Sequence, residues 1–231
     1  MTVVLGYDPD FQPFTCEVEG AARGLAIELV RAACGRAGID VAFVPADLSH
    51  RSGQLARGEI QGLACMAVTP ARVMEFGFSL PYLTTGAALF APSGDVPRSL
   101  GDIAGLSVAT PTTGPVLAFL RANLPDVVLV PVDGYREALD AVLKNTADVA
   151  ALNAEAGRRL AEKWFPGRFG RPGPRFMEAG LAVARPLALG RGFLGVFDAG
   201  LDAIRTDGTY SAIVRDSSCV AALDTGPQVV E

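Results

Sequence analysis

The chain has 231 residues, half of them hydrophobic and 19% charged, and carries a net charge of -5. That length and balance suit one large domain or two small lobes, each burying its own core, and they exclude a disordered chain. The acidic balance excludes nucleic acid as the main partner, because the 20 basic residues are scattered and do not form the cluster that a phosphate backbone needs.

In chain order, Val3-Val4-Leu5-Gly6 predicts a short strand. Leu25 to Ala37 predicts a helix, with Leu25, Ile27, Leu29, Val30 and Ala33 as its apolar positions and Gly38 as its stop. A strand at 41–44 ends at Pro45. A short helix from Ser52 to Arg57 stops at Gly58, and 60–66 is a further buried apolar run. Strand and helix alternating in this way imply a mainly parallel sheet with helices on its faces. After the turn residues 93–97 the rhythm restarts. Strands are expected at 106–109, 127–130 and 149–152, and a helix from about Pro115, since proline suits a first helical position. Asp133 is expected to cap a helix carrying Tyr135, Ala138, Leu139, Val142 and Leu143, and a helix spans Ala154 to Phe165. The stretch 166–174 is loop rich in glycine, proline and arginine. It reads as a solvated loop, with an anion-binding loop as the alternative. A strand at 181–184 follows. Phe193, Val196, Phe197, Gly200, Leu201 and Ile204 then share one helical face, stopped at Asp207-Gly208, before a short helix from Tyr210 to Arg215. The tail from Asp224 is polar and expected to fray. The plan is two α/β units of similar construction.

No stretch of about 18 apolar residues occurs, so no transmembrane helix is expected. Thr2-Val3-Val4-Leu5 follows Met1 directly, without the pattern of a secretory leader. This fits a cytosolic chain or an exported one written from its mature start. The cysteines Cys16, Cys34, Cys65 and Cys219 are widely spaced and His50 is the sole histidine, so no metal site and no cofactor are expected. The cysteines read as small buried side chains, with one unassigned disulfide open in an oxidising compartment.

Six segments carry a resemblance to a known family: GYDPDFQPF (6–14), 23–45, 55–92, 99–120, 134–157 and LDAIRTDGTYSAIV (201–214). The combination of T-P-A-R, F-S-L-P-Y (69–82) and D-G-T-Y (207–210) is specific where no single piece is. The chain resembles the family 3 solute-binding proteins, the amino-acid receptors of ABC importers. The resemblance implies a two-lobed α/β fold of the periplasmic-binding-protein (Venus flytrap) type. Lobe 1 would take 1–88 and 184–231, lobe 2 would take 89–183, and two crossovers near 86–92 and 179–185 would act as hinges. It also implies a small carboxylate-bearing or amino-acid ligand held between the lobes, a membrane permease as partner, a monomer, and a periplasmic or cell-surface location.

Site residues follow from the same resemblance. Arg72 stands where the family grips a ligand carboxylate, and a guanidinium fork suits that task. Thr112 and Thr113 would meet the same carboxylate from lobe 2, or simply cap the helix that follows. Asp8 would meet ligand or cleft groups and Phe11 would cover the ligand, with Phe14 in the core. Leu48 replaces a common second aromatic. Cys65, Met66 and Ala67 belong to the ligand-facing stretch. There Ala64 and Cys65 replace a small Ser or Gly pair, and Ala67 lacks a hydroxyl that many members carry. Asn153 stands where amino-acid receptors place the aspartate that pairs with the ligand's ammonium. The carboxylate end is therefore kept and the ammonium end weakened, which disfavours a zwitterion.

Two other classes share the fold. A dehydratase would need a carboxyl group for proton transfer in the cleft, and Glu155 is its candidate, set against a plain solvated helix glutamate. An extracellular sensor domain would bind ligand in the same way. No G-x-S-x-G, P-loop or H-E-x-x-H motif is present, so no catalytic residue is assigned.

Overall fold

The computed structural model describes residues 2–46, 51–92, 95–112 and 114–216. Leu48, Thr113 and Cys219 lie outside the described residues. The chain divides into two compact units, one built from residues up to Leu83 together with those from Gly180 onward, the other from Thr84–Ala179.

The first unit begins with β1 (Val3–Tyr7), a small antiparallel hairpin of β2 (Cys16–Val18) and β3 (Ala21–Arg23), and α1 (Leu25–Arg36). It continues through β4 (Val41–Pro45), α2 (Arg51–Ala56), β5 (Gly62–Ala67) and β6 (Phe76–Phe78). β1 lies parallel to both β4 and β5. The chain then enters β7 (Leu83–Phe90) and the second unit: β8 (Ser107–Pro111), α3 (Pro115–Asn123), β9 (Val128–Val132), α4 (Tyr135–Leu143), β10 (Val149–Asn153) and α5 (Ala154–Trp164). β8 is parallel to β9 and β10, and β10 runs antiparallel to β7. The chain returns along β11 (Phe176–Pro186), whose later residues pair antiparallel with β5 and β6. It closes with α6 (Gly192–Thr206) and α7 (Thr209–Arg215).

The predicted mainly parallel α/β plan is present, and the reasons are local. Ile27, Leu29, Val30 and Ala33 make one buried face of α1, while Leu194, Phe197, Leu201 and Ile204 make that of α6. The two helices meet at Gly200, where any Cβ would collide with the Ala33 carbonyl oxygen. In the second unit Val149 to Leu152 is buried throughout, as expected of a strand covered on both faces. One buried cluster includes Phe90, Leu139, Val142 and Leu152; another includes Leu89, Ile103, Val108 and Leu120.

Three expectations change. The cap of α4 is Gly134, one residue after Asp133, and no side chain caps it. β7 and the first half of β11 are strands that were not predicted, although β7 ends in the apolar run Ala87-Ala88-Leu89-Phe90. The 166–174 loop is tied to β7, with the Gly170 and Gly173 N–H groups donating to the carbonyls of Ala91 and Leu89 (both 2.9 Å).

Candidate functional site

In the first unit the candidate residues gather around the end of β5. Beyond Ala67 the chain turns through Thr69 into a single 3-10 turn, Arg72–Met74. The Arg72 backbone N–H donates to the Thr69 carbonyl at 3.0 Å, and its Nη1 donates back to the Ala67 carbonyl at 3.0 Å. The guanidinium is thus folded over the strand end and held half-buried. Burial pulls its pKa down to about 10. The positive charge of Arg51 adds to that shift, and the nearby Cys65 opposes it.

Arg51 lies in α2 of the same unit. It opens α2 and is itself half-buried. Burial lowers its pKa, and the charges of Asp8 and Glu75 oppose that shift.

Asp8 sits half-buried just after β1. Its Oδ1 accepts the Asp10 N–H at 2.9 Å, and its carbonyl accepts the Thr15 hydroxyl at 2.6 Å. Phe11 is half-buried against Phe14, with ring centroids 5.0 Å apart, and Phe14 belongs to the core. Burial pushes the Cys65 thiol up to about 12, with Asp8 adding to the rise and Tyr82 and Arg72 opposing it. The buried Tyr82 hydroxyl donates to the Ala64 carbonyl at 2.5 Å. The Met66 side chain packs with Ile60, Leu63 and Phe78 in the core, which leaves its backbone as the part able to meet a ligand.

In the second unit Asn153 ends β10 and caps α5. Its Oδ1 accepts the N–H groups of Glu155 (3.2 Å) and Ala156 (3.0 Å), and its Nδ2 donates to the Thr85 hydroxyl at 2.6 Å. Thr85 in turn donates to Glu155 Oε2 at 2.9 Å, and Glu155 pairs with Arg175. Glu155 is therefore a half-buried, partnered group and not the solvated glutamate expected of a surface helix. Thr112 is exposed, with its N–H donating to the Val132 carbonyl at 2.8 Å. The cap of α3 is Gly114, at φ 116°, with Pro115 next. Thr112 is thus two residues outside the cap position. Among the described residues no cluster of three His, Cys, Asp or Glu side chains could hold a metal, and no helix is long and apolar enough to cross a membrane.

These elements coincide with a described family. The model of the bacterial extracellular solute-binding proteins, family 3, matches residues 3–216. The chain belongs to that family. Solved structures share its fold. A mutant of the ArgBP of T. maritima is 18% identical over 95% of each chain, with a TM-score of 0.78. A histidine kinase sensor domain with similarity to periplasmic binding proteins is 25% identical, covering 92% of this chain and 94% of its own, with a TM-score of 0.81. An ancestral amino-acid-binding protein, a precursor of cyclohexadienyl dehydratase, is 22% identical over 92% of each chain, with a TM-score of 0.75. No curated protein sequence matches. The chain is thus a solute-binding protein of two-lobed fold, from a family named for extracellular members.

Proposed function

We propose that this family 3 solute-binding protein is the receptor of an ABC-type importer. It works outside the cytoplasmic membrane as a monomer, captures a small carboxylate-bearing molecule and hands it to a membrane permease. The observation that carries this reading is Arg72, held half-buried over the end of β5 by the Ala67 carbonyl with its remaining N–H donors available to an anion. Asp8, Phe11, Cys65 and the backbone of Met66 and Ala67 would complete the first unit's share, and Thr112 and Thr113 with Asn153 the second's. Leu48 would lie against the ligand where an aromatic ring is common.

Asn153 weighs against a zwitterionic ligand more strongly than its lack of charge alone. Its one acceptor atom already serves two N–H groups of α5. The catalytic alternative keeps Glu155 as its candidate, half-buried and held by Thr85 and Arg175. A sensor domain is the second reading, favoured by the likeness to the kinase sensor domain. It shares the ligand-binding step and differs in what reads the bound state. The test is a thermal-shift screen of carboxylates and amino acids, with product analysis of each hit. The expected result is stabilisation by carboxylates recovered unchanged. A new product would favour the dehydratase class, and stabilisation by L-amino acids alone would contradict the ligand assignment.

A further inference from the structure

The amide of Asn153 is oriented by neighbours that all belong to the second unit. β10 pairs with β7 so that Asn153 stands opposite Ala87, and Thr85 lies two residues away along β7 on the same face. The Asn153 side-chain oxygen accepts the backbone N–H groups of Glu155 and Ala156 at 3.2 and 3.0 Å. A backbone N–H can only donate, so the atom facing α5 is the oxygen, and both of its lone pairs are taken. The amide nitrogen therefore points to Thr85 and donates to its hydroxyl at 2.6 Å. Thr85 is buried and donates in turn to Glu155 Oε2 at 2.9 Å, while the other Glu155 oxygen pairs with Arg175. A carboxylate in an ion pair only accepts, so the chain Asn153 to Thr85 to Glu155 runs one way. An aspartate in place of Asn153 would break it, because the one proton of the Thr85 hydroxyl cannot serve two carboxylates.

This leaves Asn153 with a donor to offer and no acceptor. Its Nδ2 carries two hydrogens, of which one goes to Thr85. Among the described residues the other has no partner, and the side chain is half-buried at the end of its strand. The start of α5 acts in the same sense, since the positive end of a helix dipole repels a cation and favours an electronegative atom.

We infer that Asn153 meets the ligand as a hydrogen-bond donor, and that the ligand carries an oxygen acceptor where an amino acid carries its ammonium: the substrate class is the α-oxo acids. The inference rests on the reading of Asn153 as part of the second unit's share of a carboxylate site, and it names what the carboxylate bears. An oxo oxygen accepts the remaining Nδ2 hydrogen. An ammonium offers only donors and would set N–H against N–H. An unsubstituted acid leaves the hydrogen unmet, which costs less than opposed donors.

Calorimetric titration tests this with matched sets, so that the ligand's side chain need not be known. The sets are pyruvate, L-alanine and propionate; α-oxoglutarate, L-glutamate and glutarate; and phenylpyruvate, L-phenylalanine and hydrocinnamate. In any set that binds, wild type should hold the oxo acid about tenfold or more tighter than the amino acid, and severalfold tighter than the unsubstituted acid. Asn153→Asp, checked for folding by circular dichroism, keeps an oxygen for α5 and replaces the donor with an acceptor. It should invert the order of oxo acid and amino acid. Should that variant fail to fold, Asn153→Ser keeps a capping oxygen without the amide donor, and should bring the oxo-to-amino ratio within about threefold. Wild type that binds an amino acid or an unsubstituted acid as tightly as the matching oxo acid would overturn the inference and leave the carboxylate reading standing. So would a folded Asn153 variant with the wild-type ratio. If no compound binds, the carboxylate reading of the site falls, and the inference falls with it.

Discussion

Asn153 is held from two sides, and that fixes what a substitution there would do. Aspartate is as good a helix cap as asparagine, so Asn153→Asp keeps the oxygen that receives the α5 N–H groups. It loses the donor to Thr85 and sets a second carboxylate near Glu155. The variant should be less stable by about 1 kcal/mol in urea unfolding, the usual cost of one lost hydrogen bond. It should also shift ligand preference by roughly 1–3 kcal/mol toward an α-amino acid over the same carboxylate without the amine. Wild type that binds common L-amino acids tightly, with no gain in the variant, would show that the ammonium is met elsewhere. Cys65 and Cys34 give a pH dependence. Burial raises both thiols from the ordinary 9.0 to about 12, so the folded state holds those protons more tightly than the unfolded chain does. Between those values the native state binds more protons, and stability falls as pH rises. The urea midpoint should therefore decline from about pH 9 upward, and Cys34→Ala should flatten part of that decline. A midpoint constant up to pH 11 would contradict the burial assigned to these thiols.

At the scale of elements, the α1–α6 contact in the first unit turns on one missing side chain. Gly200→Ala would drive a methyl group into the Ala33 carbonyl and toward Ala37. Overpacking of this kind should cost roughly 1–3 kcal/mol. Gly195 lies on the same helix with open space around it, so Gly195→Ala should stabilise by up to about 1 kcal/mol. Chemical denaturation of the pair separates packing from helix propensity; equal effects of the two substitutions would contradict the close approach. Legibility also varied by element. α1, α4 and α6 announced themselves because their apolar residues recur at three and four, and β10 because Val149 to Leu152 is apolar throughout. β7 did not, although Ala87-Ala88-Leu89-Phe90 is apolar, since Gly86 breaks the run and its partner β10 is distant in sequence. β11 likewise begins Phe176-Met177-Glu178-Ala179-Gly180, and its place beside β7 makes that stretch a strand. In the candidate site, Arg72 was proposed from its motif, and its hydrogen bond back to the Ala67 carbonyl was not legible, because it depends on the turn that follows β5. The engagement of Asn153 by Thr85 was hidden for the same reason, as they stand 68 residues apart.

For the whole molecule, the division at Leu83 and Ala179 leaves two units that the chain links twice. The proposed receptor role implies that ligand binding makes the chain more compact. Small-angle scattering should show a smaller radius of gyration with a bound carboxylate than without, and no change with any binding ligand would count against that motion. The two-unit plan was readable because strand and helix signals restart after residue 92. The family was readable from motifs spread over nearly the whole chain. The central claim is narrower than either: Arg72 binds the ligand through a carboxylate. The direct test is calorimetric titration of wild type and Arg72→Ala with the tightest carboxylate from the screen. Loss of the charged bidentate contact should weaken binding by about 3 kcal/mol or more in a variant that melts as a folded protein. Unchanged affinity in a folded Arg72→Ala protein would contradict the account.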